Sequence, residues 1–255
     1  MNADARAIWF VSDVHLVQGD RPYLEQFLAF LDRALAEADE LWIVGDLFEF
    51  WIGERQTRDG FYDDLFARLA EFGRSCGPVH VVHGNRDFLM GEEFRRAGCR
   101  LEPDRNRLEL GGLDVHVSHG DELCVDDLSY QRARVVMRSR PARFVAALLP
   151  GALGGWLARR YRRISERKKA RKKAVTGNRF HTIERGLEEL AARIDPDVVI
   201  CGHIHFPADQ VLEFAGRSRR IITTGAWEEG PNYIVWRAGD FELRRFDPAA
   251  PCPSP

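Results

Sequence analysis

The sequence of 255 residues lacks the marks of several common protein classes. Its five cysteines are odd in number and form no Cys-x-x-Cys pair, which argues against a disulfide framework or a zinc knuckle and favours reduced thiols in a cytosolic protein. No signal peptide is expected, because an apolar, strand-like run begins at Ala7. The longest uncharged stretch, Phe144–Ala158, has 15 residues broken by Pro150 and three glycines, so it is too short to span a bilayer.

The chain also lacks an excess of charge of one sign, since 37 basic and 39 acidic residues give a net charge of −2. A protein that binds nucleic acid over its whole surface is therefore not expected. The balance hides a cationic segment, 159–173, with ten basic residues and one acidic residue, whereas the rest of the chain has 27 basic and 38 acidic residues. This segment predicts contact with an anionic partner, although its outer members equally fit a solvated helix face.

Apolar residues make up 45% of the chain, enough for a sizeable core. In the first half, short apolar runs alternate with segments whose leucines and phenylalanines recur at helical spacing, which predicts a mostly parallel sheet with right-handed crossovers. We interpret the last four predicted strands as a meander. The predicted strands are Ala7–Val11, Leu41–Val44, Val79–Val82, Leu113–Val117, Val198–Cys201, Val211–Phe214, Arg220–Thr223, Tyr233–Trp236 and Phe241–Arg244.

The pattern of alternating strands is interrupted in the middle of the chain. Residues 124–193 contain helix formers and many arginines and lysines but no clear strand, and we interpret them as a helical cap inserted into the core. The core then comprises residues 1–123 and 194–247. A proline-rich segment, 248–255, is expected to be a loose tail.

Five polar clusters follow predicted strands directly. They are Asp13-Val14-His15, Gly45-Asp46, Gly84-Asn85-Arg86-Asp87, His119-Gly120-Asp121 and Gly202-His203-Ile204-His205. Ligands of open α/β sheets bind at the carboxyl ends of the strands, so these loops can converge. Each cluster alone has an ordinary explanation, such as a turn or a helix cap, but five of them at strand ends predict a metal site. Their oxygen and nitrogen atoms suit Mn²⁺, Fe²⁺, Zn²⁺ or Mg²⁺.

The clusters contain seven potential ligands, more than one ion takes from a protein. They are Asp13, His15, Asp46, Asn85, His119, His203 and His205. Two ions that share a carboxylate would use all seven, and Asp46, which is the single ligand after its strand, is the natural bridge. Such a pair of ions can activate water and bind a phosphate oxygen for in-line attack.

The ordered motifs Asp-x-His, Gly-Asp, Gly-Asn-x-Asp, His-Gly-Asp and Gly-His-x-His resemble those of the calcineurin-like metallophosphoesterase superfamily. Flanking segments are similar to those of the UDP-2,3-diacylglucosamine hydrolases of bacterial lipid A biosynthesis. These segments are Ser12–Leu16, Gly45–Gly53, His83–Gly91, His119–Asp127 with Tyr130, and Gly225–Trp227. The likeness extends from about residue 7 to residue 237.

This resemblance implies an α/β fold, a two-sheet αββα sandwich with a helical cap insertion, and two divalent ions, usually Mn²⁺. One ion would be held by Asp13, His15, Asp46 and His205, and the other by Asp46, Asn85, His119 and His203. The implied reaction is water attack on the phosphorus next to uridine, which splits the diphosphate of UDP-2,3-diacylglucosamine into UMP and 2,3-diacylglucosamine 1-phosphate. The implied catalytic residues are Asp46, Asn85, Arg86 and His203.

Arg86 stands where many superfamily members have a histidine that can protonate an alkoxide leaving group. A phosphate monoester, whose second pKa is about 6, leaves without that proton. A guanidinium that binds a diphosphate and offsets charge in the transition state then serves better. The alternative interpretation is a structural ion pair between Arg86 and Asp87.

The resemblance also implies that Asn85, Arg86 and His203 contact the substrate. Further contacts would come from the segment that follows His119-Gly120-Asp121 and from the cap. The further residues are Asp127, Tyr130, Ser165, Lys169 and Lys172. The chain departs from the family pattern at Lys169, where asparagine is more common, and at Glu228-Glu229, where histidine often follows Trp227.

Apolar residues next to the cationic segment, between Phe144 and Leu157, predict a cap that contacts acyl chains and an anionic membrane surface. That contact implies peripheral association with the cytoplasmic face of the inner membrane. The plainer interpretation is that these residues pack the cap onto the sheet.

Three other functions stay open at this point. A broader metallophosphodiesterase or nucleotide phosphatase could use the same ligands, and a non-catalytic scaffold is a third possibility. Nucleic-acid binding through segment 159–173 would be weak and non-specific. No specific nucleic acid and no obligate protein partner is expected.

Overall fold

The computed structural model describes residues 6–51, 53–139, 180 and 183–250. The strands in these ranges are β1 Ile8–Val11, β2 Glu40–Val44, β3 Val79–Val82, β4 Arg100–Leu101, β5 Arg105–Leu110, β6 Leu113–Ser118, β7 Val198–Cys201, β8 Pro207–Phe214, β9 Arg217–Thr224, β10 Asn232–Arg237 and β11 Asp240–Arg245. The helices are α1 Arg21–Glu37, α2 Asp63–Ser75, α3 Glu92–Arg96, α4 Leu128–Met137 and α5 Glu184–Ile194, with 3₁₀ turns at Glu54–Thr57 and Asp121–Leu123.

The strands form two mixed sheets. The first has the order β11-β10-β1-β2-β3-β4, in which β1 to β4 are parallel, and the second has the order β5-β6-β7-β9-β8, in which β6, β7 and β9 are parallel. Antiparallel strands complete both sheets. The parallel pairing predicted for the first half of the chain is confirmed for β1, β2 and β3, and the two-sheet α/β sandwich is confirmed, whereas the predicted strand Leu113–Val117 belongs to the second sheet.

Alternation along the strands divides the core into three apolar layers. In β1, Phe10 packs between the sheets with residues such as Val117 of β6, whereas Trp9 packs on the other face with α1 and α2. A third layer joins Leu187 of α5 to Ile221 of β9. The order of layers is therefore helix, sheet, sheet, helix, because each sheet buries both of its faces.

The last four strands do not form a meander, so that prediction is wrong. Strands β8 and β9 form a hairpin in the second sheet, and β10 and β11 form a hairpin in the first. Between them the chain crosses from one sheet to the other, where Trp227 is buried and its indole N–H donates to the carbonyl of Asn232 at 3.0 Å. Strand periodicity shows which residues face the core, but it does not show which sheet supplies the partner strand.

Strands β4 and β5 lie in a region where no strand was predicted. The two residues of β4 carry no alternation, and β5 reads Arg-Asn-Arg-Leu-Glu-Leu with one exposed face at the edge of the second sheet. Edge strands rich in charged residues give a weak strand signal because half of their surface is in water.

Helix α5 lies within residues 124–193 except for its last residue, Ile194, but it packs on the second sheet. Its Leu187 and Leu190 belong to the same apolar layer as Leu123 and Ile221. The last part of the predicted cap therefore supplies the outer layer of the sandwich. The division into domains stays a prediction, since residues 140–179 lie outside the described residues. No helix in the part of the chain that the structure describes is long and apolar enough to cross a bilayer.

Two helical glycines lead to a prediction about stability. A Cβ at Gly186 of α5 would overlap the main chain of Leu123, whereas a Cβ at Gly73 of α2 would lie 4.0 Å from the nearest main-chain oxygens. We expect Gly186→Ala to lower the free energy of unfolding by about 1–3 kcal/mol. Gly73→Ala should raise it by up to about 1 kcal/mol through helix propensity. Urea unfolding measures both, and a Gly186→Ala variant as stable as the unaltered chain would contradict the packing of α5.

Candidate metal centre

The loops that follow β1, β2, β3, β6 and β7 bring all seven predicted ligands to one end of the sandwich. Main-chain hydrogen bonds join the first two loops, from Asp13 N to Gly45 O at 3.2 Å and from His15 N to Asp46 O at 3.0 Å. The third loop approaches at Gly84, where a Cβ would overlap the main chain of Asp46. The ligands converge because parallel strands end at the same edge.

Five of the seven have a left-handed backbone conformation. Their φ values are 53° at Asp13, 57° at His15, 50° at Asp46, 66° at His203 and 53° at His205. Non-glycine residues in this region cost about 1–3 kcal/mol each and persist where the surrounding structure holds them. The concentration of strain at these residues indicates a functional site, since nothing in a turn alone requires an aspartate or histidine there.

A first group of ligand atoms comes from Asp13, His15 and His205. The Oδ2 atom of Asp13 accepts hydrogen bonds from the Ser12 hydroxyl at 2.5 Å and the His203 main-chain N–H at 2.9 Å. Its Oδ1 atom lies 3.2 Å from His205 Nε2, which in turn lies 3.2 Å from His15 Nε2. Two imidazole nitrogens that face each other beside a buried carboxylate fit a cation between them.

A second group lies around Asp46, His119, Asn85 and His203. The His119 Nδ1–H group donates to Val44 O at 3.1 Å, so that Nε2 faces the site, 3.7 Å from Asp46 Oδ1 and 3.1 Å from Asn85 Oδ1. The Asn85 oxygen also lies 2.9 Å from His203 Nδ1. A carbonyl that fixes the other ring nitrogen is the usual support of a metal-binding histidine.

The electrostatics of the site also fit a cation. Asp13 and Asp46 are fully buried, and Asp46 Oδ2 has no hydrogen-bond partner among the residues that the structure describes. Burial raises the pKa of Asp46. Burial lowers the pKa of His119, but Asp46 and Asp13 outweigh it and raise that pKa to about 9. The carboxylates therefore hold a proton on His119, a positive charge that a divalent ion can replace.

His203 has the opposite tendency. Burial, together with the charge of His119, lowers the pKa of His203 to about 3. Its imidazole is therefore neutral at physiological pH and has a lone pair available for a metal ion. The residues present thus fit divalent metal, as oxygen and nitrogen donors around buried negative charge.

Arg86 lies beside the second group. Its main-chain N–H donates to Asp46 Oδ1 at 2.9 Å, and its guanidinium pairs with Glu49 and lies 3.5 Å from Asp46 Oδ2. Asp87 instead accepts the main-chain N–H groups of Leu47 at 2.7 Å and Gly84 at 2.8 Å, and burial with the charge of Asp46 raises its pKa to about 7. The alternative interpretation of an Arg86–Asp87 ion pair is therefore wrong.

The predicted substrate residues are only partly described. The ring of Tyr130 lies 6.2 Å from that of His203, and its hydroxyl donates to Asp121 at 2.5 Å. Asp127 caps α4 by accepting the N–H of Tyr130 at 3.1 Å. Contact of either residue with substrate stays a prediction. The remaining three, Ser165, Lys169 and Lys172, lie outside the described residues.

Two buried acidic residues at the site carry roles that the sequence interpretation missed. Asp121 accepts hydrogen bonds from Tyr130 and from Arg134 Nε at 2.7 Å, which tie α4 to the loop of His119. Glu49 lies 3.6 Å from His15 Nδ1 and pairs with Arg86. The signal for Glu49 is a charged residue between Phe48 and Phe50, in an otherwise apolar run.

The left-handed backbone at His205 leads to a prediction. Glycine adopts this conformation without strain. Without metal, the His205→Gly variant should therefore be more stable than the His205→Ala variant, with a free energy of unfolding about 1 kcal/mol higher. Urea unfolding in EDTA measures the difference. The same pair at His80, a residue of β3 whose φ is not positive, is the control, and alanine should be the more stable there. Equal stability of the two His205 variants would contradict the strain.

The chain as a whole is similar to known proteins. The family model of the calcineurin-like phosphoesterases matches residues 6–207. The UDP-2,3-diacylglucosamine hydrolase of Pseudomonas paraeruginosa is 37% identical over 227 residues, which are 87% of this chain and 91% of that protein. The hydrolase of the same name from Stenotrophomonas maltophilia is 35% identical over 241 residues, or 92% of this chain and 96% of that protein.

A solved structure of an archaeal phosphodiesterase covers 94% of this chain and 99% of its own, with a TM-score of 0.45 and 13% identity. The match to the family model extends over most of the chain. It includes all seven candidate ligands, of which His205 lies near its end. The chain therefore belongs to the calcineurin-like phosphoesterase family, and the two hydrolases are its relatives within that family.

Proposed function

We propose that this protein hydrolyses the diphosphate of UDP-2,3-diacylglucosamine to UMP and 2,3-diacylglucosamine 1-phosphate, a step of lipid A biosynthesis, with two Mn²⁺ ions. The observation that carries the proposal is the convergence of seven candidate ligands around buried carboxylates with the Arg86 guanidinium beside them. The two relatives named UDP-2,3-diacylglucosamine hydrolase, which are similar along 87–92% of the chain, support this substrate over others.

The ligands divide into two sets in the proposed site. Asp13, His15, Asp46 and His205 would hold one ion, and Asp46, Asn85, His119 and His203 the other. The position of Asp46 between the two sets supports its assignment as the bridging ligand. Its Oδ1 lies 3.7 Å from His119 Nε2, and its Oδ2 lies 4.0 Å from His15 Nδ1. Divalent ions bound here would supply Lewis acidity and lower the pKa of water.

The side chains of the protein position the diphosphate and offset its charge. The Arg86 side chain is 9% exposed, and its guanidinium is held between Asp46 and Glu49, so a bound diphosphate would meet an oriented hydrogen-bond donor. No general acid is required at this position, because a sugar 1-phosphate leaves without a proton. His203 and Asn85 are neutral, so they would supply ligand atoms for a metal ion without adding negative charge to the site.

Helix α4 supports contact with the lipid part of the substrate. Among the described residues, Leu128, Val135 and Val136 of this helix are 64–71% exposed although they are apolar. Exposed apolar surface beside a phosphate site fits an acylated substrate. We place the protein at the cytoplasmic face of the inner membrane, held peripherally, with Asp127, Tyr130, Ser165, Lys169 and Lys172 as substrate contacts.

The proposal is tested by UMP release from UDP-2,3-diacylglucosamine with Mn²⁺. UDP-N-acetylglucosamine and bis-p-nitrophenyl phosphate are the comparison substrates. We expect turnover of the lipid nucleotide to exceed that of both. Comparable turnover of all three would favour the broader metallophosphodiesterase, and no release of UMP would refute the proposal.

Loss of one ligand gives a second prediction. His205→Ala should bind fewer Mn²⁺ ions, because Asp13 and His15 lose the third member of their group, and its turnover should fall by about 10²-fold or more. Metal content by mass spectrometry and UMP release are measured on the same sample. Full metal content with normal turnover would contradict the ligand assignment.

Arg86 gives a third prediction for the proposed reaction. Arg86→Lys keeps the charge but loses the planar pair of donors, so kcat/KM should fall by about 10- to 100-fold. Metal content should not change. Arg58→Lys, at an exposed arginine in the same region, is the matched control and should retain full activity. Unchanged kinetics in Arg86→Lys would contradict a role of the guanidinium in binding the diphosphate.

A further inference from the structure

The loop after β2 places a buried acidic residue between two functional side chains. Glu49 N donates to Leu16 O at 3.0 Å, and Leu16 N donates to Leu47 O at 2.9 Å, so the residue after His15 joins the loop after β1 to the loop after β2 through both of its main-chain groups. The Glu49 side chain is 9% exposed. A carboxylate in such a position is costly without positive or hydrogen-bonding partners.

Two of the partners of Glu49 belong to the site. Its Oε2 atom lies 3.6 Å from His15 Nδ1 and pairs with Arg86 Nη1. The opposite ring nitrogen, His15 Nε2, faces His205 Nε2 at 3.2 Å. Glu49 therefore lies at the Nδ1 edge of the His15 ring, opposite the nitrogen that faces His205, and Asp46 Oδ2 lies 4.0 Å from the same Nδ1.

We propose that Glu49 is a positioning residue that orients both His15 and Arg86. This inference rests on the proposed function. A carboxylate at Nδ1 favours the tautomer with its proton on that nitrogen, so that the lone pair on Nε2 can bind metal. The same carboxylate holds the guanidinium next to Asp46, where a diphosphate would bind.

The orientation of both groups by one carboxylate has a measurable consequence. The affinity for metal at the His15 side and the binding of the diphosphate should change together when the charge of Glu49 is removed. A carboxylate that only balanced the charge of Arg86 would affect the second and leave the first unchanged. Metal affinity therefore separates the two roles.

The experiment measures Mn²⁺ binding by calorimetry to metal-stripped protein, and UMP release on the loaded protein. Glu49→Gln should weaken Mn²⁺ binding by about 10- to 100-fold and lower kcat/KM, since supports of metal ligands have effects of this size. Glu49→Asp, which keeps the charge, should recover part of both. Glu54→Gln, at an acidic residue whose side chain is 49% exposed, is the matched control and should equal the unaltered protein.

The same Glu49→Gln substitution is also made in a protein that carries Arg86→Gln. If Glu49 orients His15, Glu49→Gln weakens Mn²⁺ binding by a similar factor with or without Arg86. A loss that disappears in Arg86→Gln, or unchanged Mn²⁺ binding in Glu49→Gln, would overturn the inference. If Glu49→Gln does not fold, as judged by circular dichroism, the comparison is made with Glu49→Asp, where unchanged affinity and kinetics would likewise overturn it.

Failure of the proposed function is seen separately, in the unaltered protein. There it appears as absent Mn²⁺ binding or absent UMP release. A normal result for the unaltered protein with no effect at Glu49 rejects the positioning role alone.

Discussion

The burial of two carboxylates, Asp13 and Asp46, is the constraint on which the site depends. Removing isolated carboxylates from water costs several kcal/mol each, so the surrounding atoms must compensate. Ser12 and the His203 main chain hold one oxygen of Asp13, while imidazoles surround the other. The raised pKa of His119 expresses the same need, because without metal the site retains a proton as its positive charge. Divalent ions satisfy this need more completely than a single proton.

The sandwich keeps this strained arrangement in place. Five ligands have positive φ, a cost that a mobile loop would relieve by changing conformation. Here the loops follow strands buried on both faces, and Asp87 binds the main-chain N–H groups of two loops at once. The packing of the core therefore compensates for the strain in the site. Small residues such as Gly84 permit the close approach of the main chains.

Charged side chains link the metal centre to its surroundings. Arg86 and Glu49 form one connection, on the side of the first sheet, and both have short contacts with ligands. Asp121 forms the other, since it follows His119 closely and accepts hydrogen bonds from Tyr130 and Arg134 of α4. Helix α4 contributes no buried residue, so these polar contacts hold it against the site. The exposed apolar surface of α4, which is proposed to bind lipid, is thus linked through hydrogen bonds to the loop that carries His119.

The local pattern of residues is sufficient to predict most of the buried strands and the polar clusters at their ends, because periodicity and spacing depend on neighbours along the chain. It is not sufficient to pair the strands, so β8–β9 and β10–β11 were predicted as one meander although they belong to different sheets. It also gave no role to Glu49, whose partners His15 and Arg86 are distant in sequence. Pairing of strands and compensation of buried charge are decided by contacts across the fold, which hydrophobic spacing along one segment does not encode.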